Sequence, residues 1–398
     1  MVLFAMKRTS RLRILVSIPL LTYQHRQAQE GVLRFFREHK ASEWDLTLET
    51  DARCISPSAI HRGYDGIIAY AETERAWKRI LDANLPTVLH DSFRSFEDMK
   101  LLCRSDTMLV GRDYDVDGKV AARYFMSRHF RHFAFFGSSA HPVLSDERRR
   151  QSFADELARC GRSCICCPQV PVRIRGAKGS NERNRIADWL SSLPHPVAVF
   201  CGRDSQAHDV LLAARDTGLE VPSQVAVLGF DDDESLCTSC TPTLSSISAD
   251  ISTLGCELAR QLDALLSGGR GGILFYKPKA RVVVRASTEC EAVEDQFVAK
   301  ALSWMRGHLR SGQSARSVAK EIGYSPRLLQ KRFHDALGRS IAQEFRRMRA
   351  EEALRLIENT DLSIAEIALK CAFSNASHLC SCVRRLTGVT PIRYRRGK

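Results

Sequence analysis

The spacing of hydrophobic positions changes character about three quarters of the way along this chain. Up to about residue 290, short apolar runs alternate with amphipathic stretches. RILVSIPL (13–20), DLTLET (45–50), GIIAYA (66–71), PTVLH (86–90) and MLVGRD (108–113) open the series, which HFAFFGSS (132–139), VAVFCGRD (197–204) and VAVLGFDD (225–232) continue. Between them, QAQEGVLRFFREH, DGKVAARYFMSRH and SQAHDVLLAARDTG carry apolar residues at helical spacing. Continuous apolar strands separated by helices indicate βαβ units, with a parallel sheet covered on both faces. About ten such strands are too many for one small doubly wound sheet, so the pattern predicts two lobes dividing near residues 131–140.

Beyond an acidic junction, ASTECEAVEDQFV (286–298), every apolar run has the helical period. VAKALSWMRGHL (298–309) is one helix, and SARSVAKEIGYSPRLLQKRFHDALG (314–338) reads as helix, Gly-containing turn, helix. SIAQEFRRMRAEEALRLIENT (340–360) is a long helix, and TDLSIAEIALKCAFSNASHLCSCVRRLTG (360–388) then repeats the earlier pattern. Ser325 and Ser374, each following an aromatic residue, stand 49 positions apart at matching helix entrances. Ser325 suits the N-cap and Pro326 the first helical position, where its missing N–H costs nothing. Leu328, Leu329 and Phe333 are expected to face the core, leaving Arg327, Gln330, Lys331 and His334 on the other side. A solvated amphipathic helix is the plain alternative, but a basic face with Gln behind a tight turn is the layout of a helix-turn-helix. Two such units joined by one rigid helix suit two successive major grooves of double-stranded DNA, which recur every ~34 Å.

Charge supports that division. Residues 297–398 hold 20 Lys and Arg against 8 Asp and Glu, a net of +12, while the rest of the chain is nearly balanced. A basic excess confined to one compact segment points to a polyanion, with nucleic acid first. In the α/β part, polar groups gather at strand ends: His90-Asp91, Arg112-Asp113, Gly137-Ser138-Ser139, Arg203-Asp204 and Phe230-Asp231-Asp232. Parallel sheets bind ligands beyond the carboxyl ends of their strands, so two lobes would enclose a cleft lined by Asp and Arg. Any one of those aspartates could equally cap a helix.

Several function classes find no support. There is no G-x-S-x-G, H-E-x-x-H or Gly-rich dinucleotide loop, and GGRGG (268–272) is only a turn. Cys237 and Cys240 form one C-x-x-C without a second pair at a zinc spacing, so neither metal nor cofactor is expected. The fourteen cysteines are expected to remain thiols in a reducing cytosol. No run of ~20 apolar residues crosses a membrane and the start does not read as a signal peptide, so a cytoplasmic protein is expected rather than an exported binding component.

These residues also carry a resemblance. SVAKEIGYSPRLLQKRFHDALGRS, with TDLSIAEIALKCAFSNASHLCSCVRRLTGVTPIRYRR, resembles the AraC/XylS-type DNA-binding domain, the closing G-V-T-P-x-x-Y-R (Gly388 to Arg395) being its most specific part. The first 290 residues are similar to the two-lobed periplasmic-binding-protein-like domain of LacI/GalR regulators, without their N-terminal DNA-binding helices. EGVLRFFREHKASEWDL, RIADWLSSLP, VLGFDDDE and LGRSIAQEFRRMR extend the likeness to sugar-operon regulators of the xylose type. The resemblance implies a sugar-sensing domain over 1–290 and an all-α double helix-turn-helix domain over 291–398. It implies a homodimer, a small sugar such as a pentose between the lobes, activation of sugar-use genes, and RNA polymerase as a further candidate partner.

For the sugar, it points to Asp204, Arg149 (in R-x-x-S-F) and Asp231, with Asp113, Asp91 and Tyr23 from the first lobe. A carboxylate can accept from two adjacent hydroxyls while Arg donates to a third oxygen. For DNA, it points to Arg327, Gln330 and Lys331 behind the Ser325 cap. In the second unit Asn375, Ser377, His378 and Ser381 occupy the equivalent face, with Arg384 and Arg385 nearby. Ala372 stands where Gly is usual, Ser381 where Arg is common, and Leu379 and Val383 where Phe is usual. The second unit is therefore expected mainly to grip phosphates.

Overall fold

The computed structural model describes residues 11–20, 22–50, 63–70, 74–90, 100, 103–137, 144–167, 180–309 and 314–396. The apolar runs form two six-stranded sheets. In the first lobe β1 (Leu12–Ser17), β2 (Trp44–Glu49), β3 (Gly66–Tyr70), β4 (Thr87–His90) and β5 (Thr107–Arg112) pair in parallel. Around them lie α1 (Tyr23–Phe35) and α2 (Glu74–Leu81). Helix α3 (Asp115–Ser127) then carries the chain into the second lobe. There β6 (His132–Phe136), β7 (Cys164–Cys166), β8 (Val197–Cys201) and β9 (Val225–Phe230) alternate with α4 (Leu144–Arg159), α5 (Ser180–Ser192) and α6 (Asp204–Asp216). The short α7 (Glu234–Ser239) and β10 (Ser245–Ser248) follow.

The division expected near 131–140 is only the first of three crossings. After β10 the helix α8 (Ile251–Leu266) packs on α1, and β11 (Gly272–Tyr276) joins the first sheet beside β5. The chain then returns as β12 (Arg281–Val283), antiparallel to β10 at the edge of the second sheet. Helices α3 and α4 also pack closely. A Cβ at Gly118 would lie 2.1 Å from Ser152 Oγ and 2.4 Å from the Phe153 backbone nitrogen, so only glycine allows this approach.

The junction is no loose tether: Ser287 and Thr288 are fully buried and Glu291 nearly so. Beyond it lie α9 (Gln296–Gly307), α10 (Ala315–Ile322), α11 (Pro326–Leu337), α12 (Ile341–Asn359), α13 (Ile364–Lys370), α14 (Ala376–Thr387) and α15 (Pro391–Arg396). Two separate small cores hold them. Ile341, Phe345 and Met348 of α12 pack with Val318, Leu329 and Phe333, whereas its Ala350, Ala353, Leu356 and Ile357 pack with Ile367, Leu379 and Val383. One helix therefore serves both cores, and each large apolar side chain it buries contributes about 1.5–3 kcal/mol relative to exposure.

Candidate functional site

The cleft between the lobes is lined by Thr22, Gln24 and His25 of the first loop and α1, Tyr70 and His90 from the ends of β3 and β4, and Arg112 and Tyr114 after β5. The second lobe adds Ser145, Arg149, Arg203 and Asp231. Its charged groups are tightly arranged. Arg112 donates from Nη2 to both oxygens of Asp117 at 2.8 and 3.0 Å, and Arg149 donates from Nε to the same carboxylate at 3.0 Å. Arg149 Nη1 reaches Asp146 at 3.4 Å and the Gly202 carbonyl at 3.2 Å. Both guanidiniums lie near the rings of Tyr114 and Phe230, Arg149 only 3.7 Å from the Phe230 centroid. Such contact keeps the cations in place without using their N–H groups. Burial lowers the pKa of His25 and of His90 to about 4, helped at His25 by His90 and Arg203 and at His90 by Arg112. Both imidazoles are neutral at pH 7, and His90 donates from Nδ1 to the Val110 carbonyl at 2.9 Å.

The sugar residues expected from the sequence are placed unequally. Arg149 and Asp231 line the cleft, and Asp231 takes up a left-handed φ of 124° and accepts from Gln24 Nε2. Asp204 does not line it. Its oxygens accept from Ser246 Oγ at 2.5 Å, the Asp233 N–H at 2.9 Å and Cys237 Sγ at 3.4 Å, which fastens the β9–α7 loop. Burial, reinforced by Asp231, raises the pKa of the Asp204 carboxyl, and the bonds from Ser246, Asp233 and Cys237 oppose that rise. Asp113 is a cap, accepting the Asp115 N–H at 3.0 Å at the start of α3. Tyr23 opens α1 outside the lining, under the Arg26 guanidinium. Asp91 lies outside the described residues. Thr22, Gln24, His25, Tyr70, Tyr114 and Ser145 were missed, and Arg112 and Arg203 were named as strand-end groups without being assigned to the ligand. Each of these arginines directly precedes an aspartate at a strand end, and in each pair the arginine faces the cleft.

Both helices begin where expected, but the second is capped by Asn375 and not by Ser374, the residue matched to Ser325. Ser325 Oγ accepts the Leu328 N–H at 3.2 Å, and Asn375 Oδ1 accepts the His378 N–H at 2.8 Å. Arg327 and Lys331 on α11 are exposed and Gln330 is half-buried. Leu329 and Phe333 are fully buried, but Leu328 is 44% exposed, because at a first-turn position it points with Arg327 and Lys331. On α14, Ser377, His378, Ser381, Arg384 and Arg385 are exposed, while Leu379 and Val383 are fully buried despite replacing larger residues. His378 is tied back to Ser374 Oγ at 3.1 Å, and Ser381 Oγ donates to the Ser377 carbonyl. The turn before α11 uses Gly323 at φ 72°, and the corresponding turn before α14 forces Ala372 to φ 54°.

Two family models match the chain: a periplasmic binding protein-like domain over residues 122–288 and a helix-turn-helix domain over 318–397. The xylose operon regulatory protein of Escherichia coli (strain K12) is 26% identical over 97% of both chains. The solved structure of a xylose-binding transcription activator matches over 98% of this chain and 99% of its own, with 24% identity and a TM-score of 0.61. A ribose-bound LacI family regulator from Enterococcus faecium matches over 69% of this chain and 98% of its own, at 17% identity and a TM-score of 0.53. The chain is a transcriptional regulator that joins a periplasmic-binding-protein-like domain to an AraC-type helix-turn-helix domain.

In this regulator the two parts meet at the end of α3. The Ser127 carbonyl accepts from Arg306 of α9 and, at 3.4 Å, from Arg347 of α12. His129 follows, with Nδ1 3.0 Å from Glu291 and Nε2 3.4 Å from Glu344, both carboxylates being fully buried. Burial opposes a charge on His129, but hydrogen bonds to Glu291 and Glu344 outweigh it and raise its pKa. The same contacts, with Arg347, hold Glu344 down at about 2 despite its burial. One turn earlier, Arg123 donates to Glu358 and to Tyr394 Oη, both at 3.1 Å, and to Glu156 at 2.7 Å. No helix among the described residues is long and apolar enough to cross a membrane.

Proposed function

We propose that this regulator is a cytoplasmic homodimer that activates sugar-use genes when a small, pentose-sized sugar binds between its lobes. Xylose is the reference compound, given the relatives of the xylose operon type. The observation that carries the reading is the path of α3. Its first turn holds Asp117, which anchors the two cleft arginines, and its last turn and the following His129 contact the spacer helix α12. A ligand that binds the closed lobes better than the open ones shifts the population toward closure. A shift of α3 then repositions α12 and, with it, both reading helices. Arg327, Gln330 and Lys331, behind the Ser325 cap, read bases in one major groove. Asn375, Ser377, His378 and Ser381 lie along the next, where Arg384 and Arg385 hold phosphates. Two such domains in a dimer cover paired sites beside RNA polymerase. The test is fluorescence anisotropy of operator-length duplexes with and without sugar. Binding by the whole chain should strengthen several-fold with the sugar, and His129 and Arg347 variants should keep sugar binding while losing that response. Equal DNA affinity with and without a bound sugar would overturn the coupling.

A further inference from the structure

We propose that the sugar this cleft selects is an anionic one, a sugar acid or a sugar phosphate, whose charged group is held by Arg112, Arg149 and Arg203. The inference rests on the cleft being the regulator's sugar site and narrows what that site accepts.

Three guanidiniums line the cleft, Arg112 from the first lobe and Arg149 and Arg203 from the second. Arg112 is 5% and Arg149 1% exposed, yet both share the single carboxylate of Asp117. Asp146, the other acid behind them, is already divided among Arg149, Gln206 at 3.2 Å and Arg203 at 3.8 Å. Asp231, on the same lobe as Arg149 and Arg203, accepts from Gln24 and also feels the charge of all three arginines. Hydrogen-bond donors, by contrast, are in excess. Among the described residues, Nε and Nη1 of Arg112 and Nη2 of Arg149 are buried and have no hydrogen-bond partner. A buried N–H on a cation is costly to leave unpaired, so these atoms mark the place of an acceptor supplied from outside the chain. A neutral hydroxyl offers lone pairs but brings a proton that also needs an acceptor. A carboxylate or phosphate presents only acceptors and matches the fork of a guanidinium. The rings of Tyr114 and Phe230 beside Arg112 and Arg149 fix that fork before the ligand arrives. Asp231 and the neutral imidazole of His90 remain to accept from the sugar hydroxyls.

The experiment is calorimetric titration of the full-length protein with matched pairs, D-xylose against D-xylonate and D-ribose against D-ribose 5-phosphate. One anionic member should bind about tenfold or more tightly than its neutral partner, and which pair shows the preference identifies the anionic group. The preference should weaken as salt is raised and shrink severalfold in Arg112→Gln. Arg203→Gln, at a less buried position, provides the same readout if Arg112→Gln fails to fold. Neutral sugars binding as tightly as their anionic partners would overturn the inference and leave the sugar-sensing reading intact. If neither kind bound at millimolar concentration while DNA binding persisted, the sugar-sensing reading would fall, and the inference with it.

Discussion

At residue scale, adjacent positions in this chain divide roles that the sequence leaves merged. Arg112 and Arg203 face the cleft, while Asp113 caps α3 and Asp204 fastens a loop. The pairs were legible as strand-end polar groups, but side-chain direction was not, because it depends on where each strand gives way to helix. The difference predicts opposite phenotypes. Asp204→Ala strands Ser246 Oγ, the Asp233 N–H and the Cys237 thiol, and should cost about 2–3 kcal/mol in denaturant unfolding, with ligand affinity little changed once the protein is folded. Asp231→Asn should lower ligand affinity with little effect on unfolding, since Asn tolerates the left-handed backbone at that position. Ala372 gives a third case. The sequence marked it as an alanine where glycine is usual, and the structure places it at φ 54°, matching Gly323 in the first unit. A side chain held there costs about 1–2 kcal/mol relative to glycine, partly offset by the greater freedom glycine has when unfolded. Ala372→Gly should therefore raise stability by about 0.5–1 kcal/mol, read from the denaturant midpoint, and leave DNA affinity unchanged.

At the scale of elements, long periodic segments were readable and short polar ones were not. The spacer helix expected over 340–360 is α12, within a residue at each end. Strand β10 reads SSIS, and its polarity hid it. Ser245 and Ser246 are fully buried because their hydroxyls bond to the Arg285 carbonyl at 2.9 Å and to Asp204 at 2.5 Å, pairings that only the folded sheet supplies. The contact between α3 and α12 was likewise invisible, since His129, Glu291 and Glu344 come from three separate stretches. It makes a pH prediction. His129 faces Glu291 from the junction and Glu344, Arg347 and, at longer range, Glu351 from α12, with Arg128 beside it and Arg306 entering from α9. Its pKa is raised in the packed state, so packing favours the protonated imidazole. The His129 contribution is complete below the free value of about 6.5 and is lost as pH rises through the raised one. Hydrogen exchange of α12 amides should accelerate across that interval beyond the intrinsic pH effect. His129→Gln should remove the dependence, and an unchanged profile in that variant would rule His129 out as its source.

At the scale of the whole molecule, the question is how two unequal readers divide one site. Helix α12 spans 19 residues, about 28 Å at 1.5 Å per residue, and both cores are built on it, so the readers move as one body. That length is close to the ~34 Å repeat of the major groove. The first reader presents Arg327, Gln330 and Lys331, side chains long enough to reach base edges. The second presents Ser377 and Ser381, with His378 tied to Ser374, and then Arg384 and Arg385 in its last turn. A short hydroxyl such as that of Ser381, spent on the Ser377 carbonyl, carries little sequence information, whereas two exposed arginines are suited to phosphates whatever the sequence. Substitutions should therefore separate by type. Arg327→Ala should cost about 1–3 kcal/mol on the preferred duplex and relax the preference at one base position. Arg384→Ala should weaken binding about equally on all duplexes and reduce the slope of log K against log salt by about 1. Anisotropy titrations at four salt concentrations, on the preferred duplex and on single-base variants, measure both quantities. If Arg384→Ala altered base preference while Arg327→Ala changed only the salt slope, the roles of the two readers would be reversed, and α12 would be presenting its specific face from the carboxyl-terminal end.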